Sequence, residues 1–352
     1  MPPSSSTFYE PTHNLPSFTF DTHTTFMEDS SGLYNLPKGG EPEFGRLDIQ
    51  HRLWLLSLGG LVPPEIETEV SRHMEQTKGG AILDVGCGSA IWSVQMAEKF
   101  PSARVVAVDI TEPSQRSFPS NFSFKSHNLA NGLPSEFEAG FNIIHCRTVL
   151  QHVPDPQILV DSMAKCLKPG GFLFLVDVEV DSTFDENRKR LEPFIYDPAL
   201  SVETNLENSR GLSWTSGWLH MLGLSTRSSK YKAPPSMIQQ SESLNELMAK
   251  VCWFPIGWED KALENGKELG ELSAEVVEGL FKLSRDSFKK VEGVPSEIKD
   301  ALIERGRQEF RERNAYLSGW YVVARKVKTR SSSLSKWVER IRYLFGSRKS
   351  VE

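Results

Sequence analysis

AILDVGCGSA, residues 81–90, places a short apolar run before an acid and two alternate glycines. This pattern is typical of a buried parallel strand that turns sharply into a helix. Gly86 and Gly88 suit the turn because a backbone without Cβ can take positive φ and lie close to a ligand. The helix that begins near Ala90 would direct its free N–H groups at that ligand. We therefore expect a binding loop between Asp84 and the helix.

A second strand pattern, RVVAVDI over residues 104–110, also ends in an acid, Asp109. It follows Asp84 by about one strand–helix–strand unit. Acids at successive strand ends suit a cofactor that carries ribose hydroxyls and an amino group. A dinucleotide fingerprint would require glycine where this chain has Ile91, so the pattern disfavours nicotinamide and flavin cofactors.

The composition is that of a globular protein, with 352 residues, 39% hydrophobic and 24% charged. No apolar run approaches the roughly 18 residues that a membrane helix needs, and the N-terminus lacks a signal-peptide pattern. The four cysteines match no metal-ligand spacing, so we expect reduced thiols, no metal and a cytoplasmic protein. The net charge of −6 argues against general nucleic-acid binding.

Residues 1–33 are rich in Ser, Thr and Pro without apolar periodicity and are predicted to be disordered. A folded domain is expected over 34–326. Its first helix carries an apolar pattern that ends before Gly59. That helix either covers the sheet or forms a lid that turns three polar side chains inward, namely Arg46, Asp48 and His51.

Further strands are predicted at 121–129, at 141–146 and in FLFLVDVEV after the turn at 168–171, with a helix over 157–167 between the last two. The series D-x-G-x-G-x-A, Asp109 and L-K-P-G-G resembles class I S-adenosylmethionine-dependent methyltransferases, with Ala90 in place of the usual third glycine. The resemblance implies an α/β, Rossmann-like seven-stranded sheet and S-adenosylmethionine as the cofactor. The residues that it assigns to cofactor binding are Asp84, Gly86, Gly88, Asp109, Asn128 and Leu129.

Tyr34-x-x-Pro37 and R-L-D-x-Q-H at 46–51 resemble the N-terminal signature of the LaeA-like (UMTA) methyltransferases of fungi. In that family the segment packs over the cofactor pocket, which favours the lid. The H-x-R of His145 and Arg147 matches the same family, and Asn142 stands where the family has Asp. Asn128 likewise replaces the commoner Asp, but its amide can pair with an adenine amino group.

Beyond the fifth strand we predict a helix around Trp214 and a sixth strand near 224–231. The last strand is expected at Ala315–Lys326, antiparallel beside the sixth. Residues 238–315 are then a helical insertion in the final hairpin. In this fold such insertions usually wall off the acceptor substrate.

Methyl transfer requires the nucleophile, the methyl carbon and the sulfur to lie in line, so positioning supplies much of the rate. A neutral histidine can also remove a proton from a hydroxyl or amine acceptor near neutral pH. His152 follows the fourth strand, where the acceptor meets the methyl group in this fold, and is the candidate base. His145 falls inside a strand and is predicted to be a buried, hydrogen-bonded residue.

Two functions are predicted, and a third stays open. The first is O- or N-methylation of a small-molecule acceptor in secondary metabolism. The second is a LaeA-type regulator that acts through protein partners in the nucleus. The absence of a compact Lys/Arg cluster near the N-terminus favours the enzyme. A methyltransferase fold used for cyclisation is the third.

The C-terminal tail, 327–352, is basic and amphipathic. Its apolar residues at 334–345 follow the spacing of one helical face. The segment 331–346 is predicted either to lie on an anionic membrane surface or to dock on the protein's own body or a second subunit. The sequence does not indicate the oligomeric state.

Overall fold

The computed structural model describes residues 41–77, 80–113, 117–179, 182–289 and 291–327. The predictions for the disordered tail, for Tyr34-x-x-Pro37 and for the segment 331–346 lie outside these residues. The described helices are α1 Glu41–Leu58, α2 Pro64–Gln76, α3 Ile91–Lys99, α4 Pro156–Cys166, α5 Val202–Glu207, α6 Trp214–Thr226, α7 Pro234–Gln240, α8 Gly266–Lys289 and α9 Ser296–Glu312. The described strands are β1 Ala81–Val85, β2 Arg104–Asp109, β3 Phe122–Ser126, β4 Phe141–Arg147, β5 Leu167–Val178, β6 Phe184–Asp185, β7 Leu244–Pro255 and β8 Ala315–Lys326.

The strands form one sheet in the order β3-β2-β1-β4-β5-β8, and β7 pairs with the free side of β8. The first five strands are parallel, whereas β8 runs antiparallel to both β5 and β7. The two-residue strand β6 pairs with the start of β8. The predicted Rossmann-like sheet of seven strands is confirmed, with β6 as an addition.

The central strands are buried because helices cover both faces of the sheet. All five residues of β1 are buried, as are the first six of β4. Such strands read as continuous apolar runs, which is why β1, β2, β4 and β5 could be found in the sequence. Their carboxyl ends meet at one edge, where Asp84, Asp109 and Arg147 lie.

The sixth strand was predicted at the wrong place. Residues 224–231 contain the end of α6 and the turn that follows it, and the strand lies at Leu244–Pro255 instead. Among the described strands it pairs with β8 alone, and most of its first seven residues are exposed. The mixture of charged and apolar residues in this strand is also typical of an amphipathic helix, so the strand was included in the predicted helical insertion. Helices α8 and α9 lie between β7 and β8 in the chain.

Three apolar clusters hold the layers together. Helices α1, α2, α3 and α8 cover one face of the sheet, and α4 and α7 cover the other. Helices α6, α8 and α9 enclose a third cluster, in which Trp218 stacks on Phe281 with ring centroids 3.8 Å apart. Among the described residues, no helix has the length and apolar character to cross a membrane.

Candidate active site

The loop after β1 has the backbone that its glycines predict. Gly86 has φ 71° and Gly88 has φ 55°, both in the left-handed region. The N–H of Gly86 donates to the carbonyl of Val108 across 2.8 Å, which ties the loop to β2. Ala90, in place of a third glycine, also has a left-handed φ of 59° and directly precedes α3. Ala90 therefore has the left-handed backbone that a third glycine would have at this position.

Asp109 closes the loop from the end of β2. Its carboxylate accepts the N–H of Gly88 at 2.8 Å and the N–H of Ile110 at 2.7 Å. Burial raises the pKa of Asp109, and its backbone hydrogen bonds oppose that shift. A carboxylate oxygen can accept more than one hydrogen bond, so this side chain retains capacity for the hydroxyls of a ribose.

Asp84 lies at the centre of a buried polar group. One carboxylate oxygen accepts from Ser93 Oγ at 2.5 Å, and the other pairs with His145 Nδ1 at 2.8 Å. Burial lowers the pKa of His145, and its ring stacks on Trp92 with centroids 3.9 Å apart. The neutral ring therefore donates its Nδ1–H to Asp84. This placement agrees with the buried, hydrogen-bonded role predicted for His145, while the role of Asp84 in cofactor binding stays a prediction.

Helix α1 covers the glycine loop. Leu47 Cδ1 lies 2.9 Å from the position that a Cβ on Gly88 would take. Ser89 Oγ donates to Asp48 Oδ1 at 2.6 Å, so the helix is hydrogen-bonded to the loop that it covers. Helix α1 therefore packs on the sheet and lies over the loop, and its role as a lid over a cofactor stays a prediction.

The three polar residues predicted to turn inward from α1 do so in different ways. Arg46 is buried and forms an ion pair with Glu43 at 2.5 Å, and its stem packs against α8 at Gly279. His51 is 1% exposed and joins α1 to β4 and α3. Asp48 reaches the loop, as described above.

Arg147 is a functional candidate that the sequence did not identify by itself. Its Nη1 donates to His51 Nδ1 at 3.1 Å, so His51 is a neutral ring whose Nε2–H donates to Gln95 Oε1 at 2.8 Å. Burial lowers the pKa of Arg147 to about 10, and the negative charges of Asp84 and Asp48 oppose this shift. No other hydrogen bond of the guanidinium is formed with the described residues, which leaves donors for an anionic group.

Asn128 and Leu129 follow β3 at the same sheet edge as Asp109. Asn128 caps a short 3₁₀ turn, and its Oδ1 accepts the N–H of Ala130 at 3.0 Å. Asn128 is exposed and Leu129 is buried, so one side chain is accessible and the other anchors the turn. The contacts predicted for these residues with an adenine ring stay predictions.

His152 lies in the 3₁₀ turn Leu150–His152 that follows β4. The same turn region places Val149 against Gly86 of the glycine loop. The structure thus brings the predicted base to the edge that carries the loop. Within the described ranges no cluster of His, Cys, Asp and Glu could hold a metal ion.

The chemistry of this edge fits S-adenosylmethionine. The left-handed glycines permit close approach, the start of α3 supplies backbone donors, and Asp109 can accept from ribose hydroxyls. Arg147 is opposite in charge to the carboxylate of an α-amino acid group, and Asp84 and Asp48 beside it are opposite in charge to its ammonium group. The residues that would hold the aminoacyl and ribose ends of the cofactor are therefore all present.

Comparisons with known proteins agree with this fold and chemistry. The profile of a family described as a methyltransferase domain matches residues 62–249, which is more than half of the chain. The secondary metabolism regulator laeA of Coprinopsis cinerea is 30% identical over 47% of this chain and 40% of its own. Methyltransferase str2 of Strobilurus tenacellus is 32% identical over 41% of this chain and 49% of its own.

The chain thus spans less than half the length of these two curated relatives. Among solved structures, coclaurine N-methyltransferase aligns with 74% of this chain and 70% of its own, with a TM-score of 0.39 and 12% identity. The strand order, the glycine loop and the family profile carry the assignment. The chain belongs to the methyltransferase domain family, within the class I S-adenosylmethionine-dependent methyltransferases, and part of its sequence is similar to laeA.

Proposed function

We propose that this chain transfers a methyl group from S-adenosylmethionine to a hydroxyl or amine of a small-molecule acceptor in secondary metabolism. The observation that supports it most directly is the glycine loop closed by Asp109 and covered by α1. A loop enclosed in this way excludes water and holds a bound ligand in one orientation. In-line displacement depends on such positioning.

Each part of the site has a role in this proposal. The cofactor supplies the reactive methyl group when it is bound. Asp109 receives the ribose hydroxyls, and Arg147 receives the carboxylate of the aminoacyl end. His152 accepts a proton from the acceptor, or orients it, from the turn after β4. The helical insertion of α8 and α9 contributes to the wall of the acceptor site.

The test is methyl transfer to a panel of phenols, alcohols and amines of fungal secondary metabolism, with S-adenosylmethionine labelled in its methyl group. We expect label in one chemical class of acceptor. His152→Ala should lower the turnover and leave the affinity for S-adenosylhomocysteine unchanged. Wild-type turnover in this variant would leave positioning alone as the mechanism. Asp300→Asn, on the exposed side of α9, is a control outside the site.

A second candidate function is regulation through protein partners, because relatives from three fungi are named secondary metabolism regulators. The two functions predict different locations, since the enzyme is proposed to be cytoplasmic and the regulator nuclear. A fluorescent fusion in a fungal host distinguishes them. Nuclear accumulation, together with no labelled product from a host extract, would favour the regulator.

A further inference from the structure

A buried carboxyl group lies at the acceptor side of the site and has no role in the proposed reaction. Asp177 is the second-last residue of β5 and directly follows Val176, which pairs with Arg147 on β4. It is 0% exposed. An ionised carboxylate at such a position is costly unless it is fully hydrogen-bonded.

The hydrogen bonds of Asp177 leave one of its oxygens without a partner. Oδ1 accepts the N–H of Val178 at 3.0 Å and Nε2 of Gln151 at 3.2 Å. Oδ2 forms no hydrogen bond within the described part of the chain, and neither does Oε1 of the same Gln151. Both atoms are buried away from bulk solvent.

These two oxygens belong to partners that are already joined by one hydrogen bond. Both are acceptors when the carboxyl is ionised, so they cannot satisfy each other. A proton on Oδ2 of Asp177 turns this oxygen into a donor, and Oε1 of Gln151 can then accept its hydrogen bond. The acid and the amide are then complementary, because each offers one donor and one acceptor.

The charged and titratable groups around Asp177 are consistent with a proton there. Burial raises the pKa of Asp177 to about 8, and the Val178 N–H, the nearby Tyr231 hydroxyl and the Arg227 charge oppose that rise. Burial raises the pKa of Tyr231 and of Cys146 on β4, so neither side chain carries a charge beside Asp177. Glu179 places a negative charge near Tyr231.

Gln151 connects this pair to the reaction site. It belongs to the turn that carries His152, and Val149 at the start of that turn packs on Gly86. The segment after α6 clamps the same turn, since the N–H of Ser228 donates to the Gln151 carbonyl at 2.7 Å. The position of the turn therefore depends on the hydrogen bond between Gln151 and Asp177 and on the hydrogen bond from Ser228 to Gln151.

We propose that Asp177 is protonated in the folded protein and that the resulting acid–amide pair with Gln151 positions the turn that carries Val149 and His152. Asp177 is thus a positioning residue, and its effect on methyl transfer rests on the function proposed above. Loss of the proton leaves a buried charge and separates the pair. The turn then loses its fixed position against the glycine loop.

The first test compares the pH dependence of unfolding in the wild type and Asp177→Asn, whose amide cannot ionise. An unfolded aspartic acid has a pKa of about 3.9. Between about pH 4 and pH 8 Asp177 of the folded wild type holds a proton that it lacks in the unfolded chain, so the contribution of Asp177 to stability falls as pH rises. The ratio of the wild-type to the variant unfolding constant should rise about tenfold per pH unit, and then level off.

A ratio that does not change with pH overturns the proposal. His145, whose pKa burial lowers, is present in both proteins, so its contribution cancels in the ratio. Asp300→Asn is the matched control and should give no such slope, because its carboxylate is exposed. If Asp177→Asn does not fold, infrared spectra of the wild type with ¹³C-labelled aspartate decide. The stretch of a protonated carboxyl must be present near pH 6 and absent near pH 9.

The second test measures the positioning role with S-adenosylhomocysteine as the probe. Its affinity for the wild type should fall about threefold or more between about pH 7 and pH 9, relative to Asp177→Asn. Equal pH dependence in the two proteins overturns the positioning role. If neither protein binds the probe at any pH, the proposed function fails, and the unfolding slope still decides whether Asp177 is protonated.

Discussion

Val149 Cγ2 fills the space that a Cβ on Gly86 would need. The glycine loop after β1 and the turn after β4 are thus packed so closely that only glycine fits at this point. The left-handed φ of Gly86 adds a second restriction on the same residue. Steric fit and backbone conformation therefore both select glycine here.

We expect Gly86→Ala to reduce the free energy of unfolding by about 2–4 kcal/mol, combining left-handed strain with overpacking. Gly211→Ala is the matched control, because Gly211 has φ 80° and no atom within 4 Å of its Cβ position. It should lose only about 1 kcal/mol. Denaturant titration measures both losses. Equal losses would show that the contact with Val149 is unimportant.

Asp109→Ala should weaken the binding of S-adenosylhomocysteine by about 1–3 kcal/mol, because ribose hydroxyls and the Gly88 N–H lose their acceptor. Calorimetry measures the affinity, and circular dichroism checks the fold. Asp197→Ala, an acid that accepts from the backbone of a distant loop, serves as the control. Unchanged affinity in a folded Asp109→Ala protein would contradict the assignment.

Arg147→Met should loosen α1, because His51 loses the donor that joins this helix to β4. Faster amide hydrogen exchange is expected in α1 and not in α9, and the affinity for S-adenosylhomocysteine should fall by about 1.5–3 kcal/mol. Arg285→Met, on the exposed side of α8, is the control. If exchange in α1 stays at the wild-type rate, this bond does not hold the helix.

The contribution of His145 to stability should fall as the pH drops below about 6.5, the ordinary pKa of histidine, and in this range it opposes the contribution of Asp177. Burial lowers the pKa of His145, so the unfolded chain binds a proton at a pH where the folded protein does not. The loss is at most about 1.4 kcal/mol per pH unit. His145→Gln should remove this part of the pH dependence, which thermal melts at several pH values detect. If stability depends on pH in His145→Gln as it does in the wild type, a group other than His145 causes that dependence.

Four of the five parallel strands, β1, β2, β4 and β5, could be predicted because they are largely buried apolar runs. The bounds of β2 and β8 agree with the patterns at 104–110 and Ala315–Lys326. Strand β7 could not be found, because an edge strand with an exposed face has the composition of a charged helix. Local patterns do not show which side of a strand meets solvent.

The part of the site that lies on adjacent strand ends could be predicted from the sequence. Gly86, Gly88 and Asp109 belong to adjacent strand ends, so strand order alone places them side by side. The bond from Arg147 to His51 joins residues 96 positions apart, and no local pattern contains that pairing. Asp177 was likewise missed, because it reads as part of a strand and its significance comes from burial.

The insertion of β8 between β5 and β7 sets the order in which the chain can fold during synthesis. Until residues 315–326 leave the ribosome, β5 and β7 each present an unpaired edge, and such edges are prone to aggregate. The pairing on this side of the sheet therefore waits for residues 315–326. Nascent chains that stop before Ala315 should depend on chaperones, and a premature stop codon there should yield insoluble protein rather than a smaller enzyme.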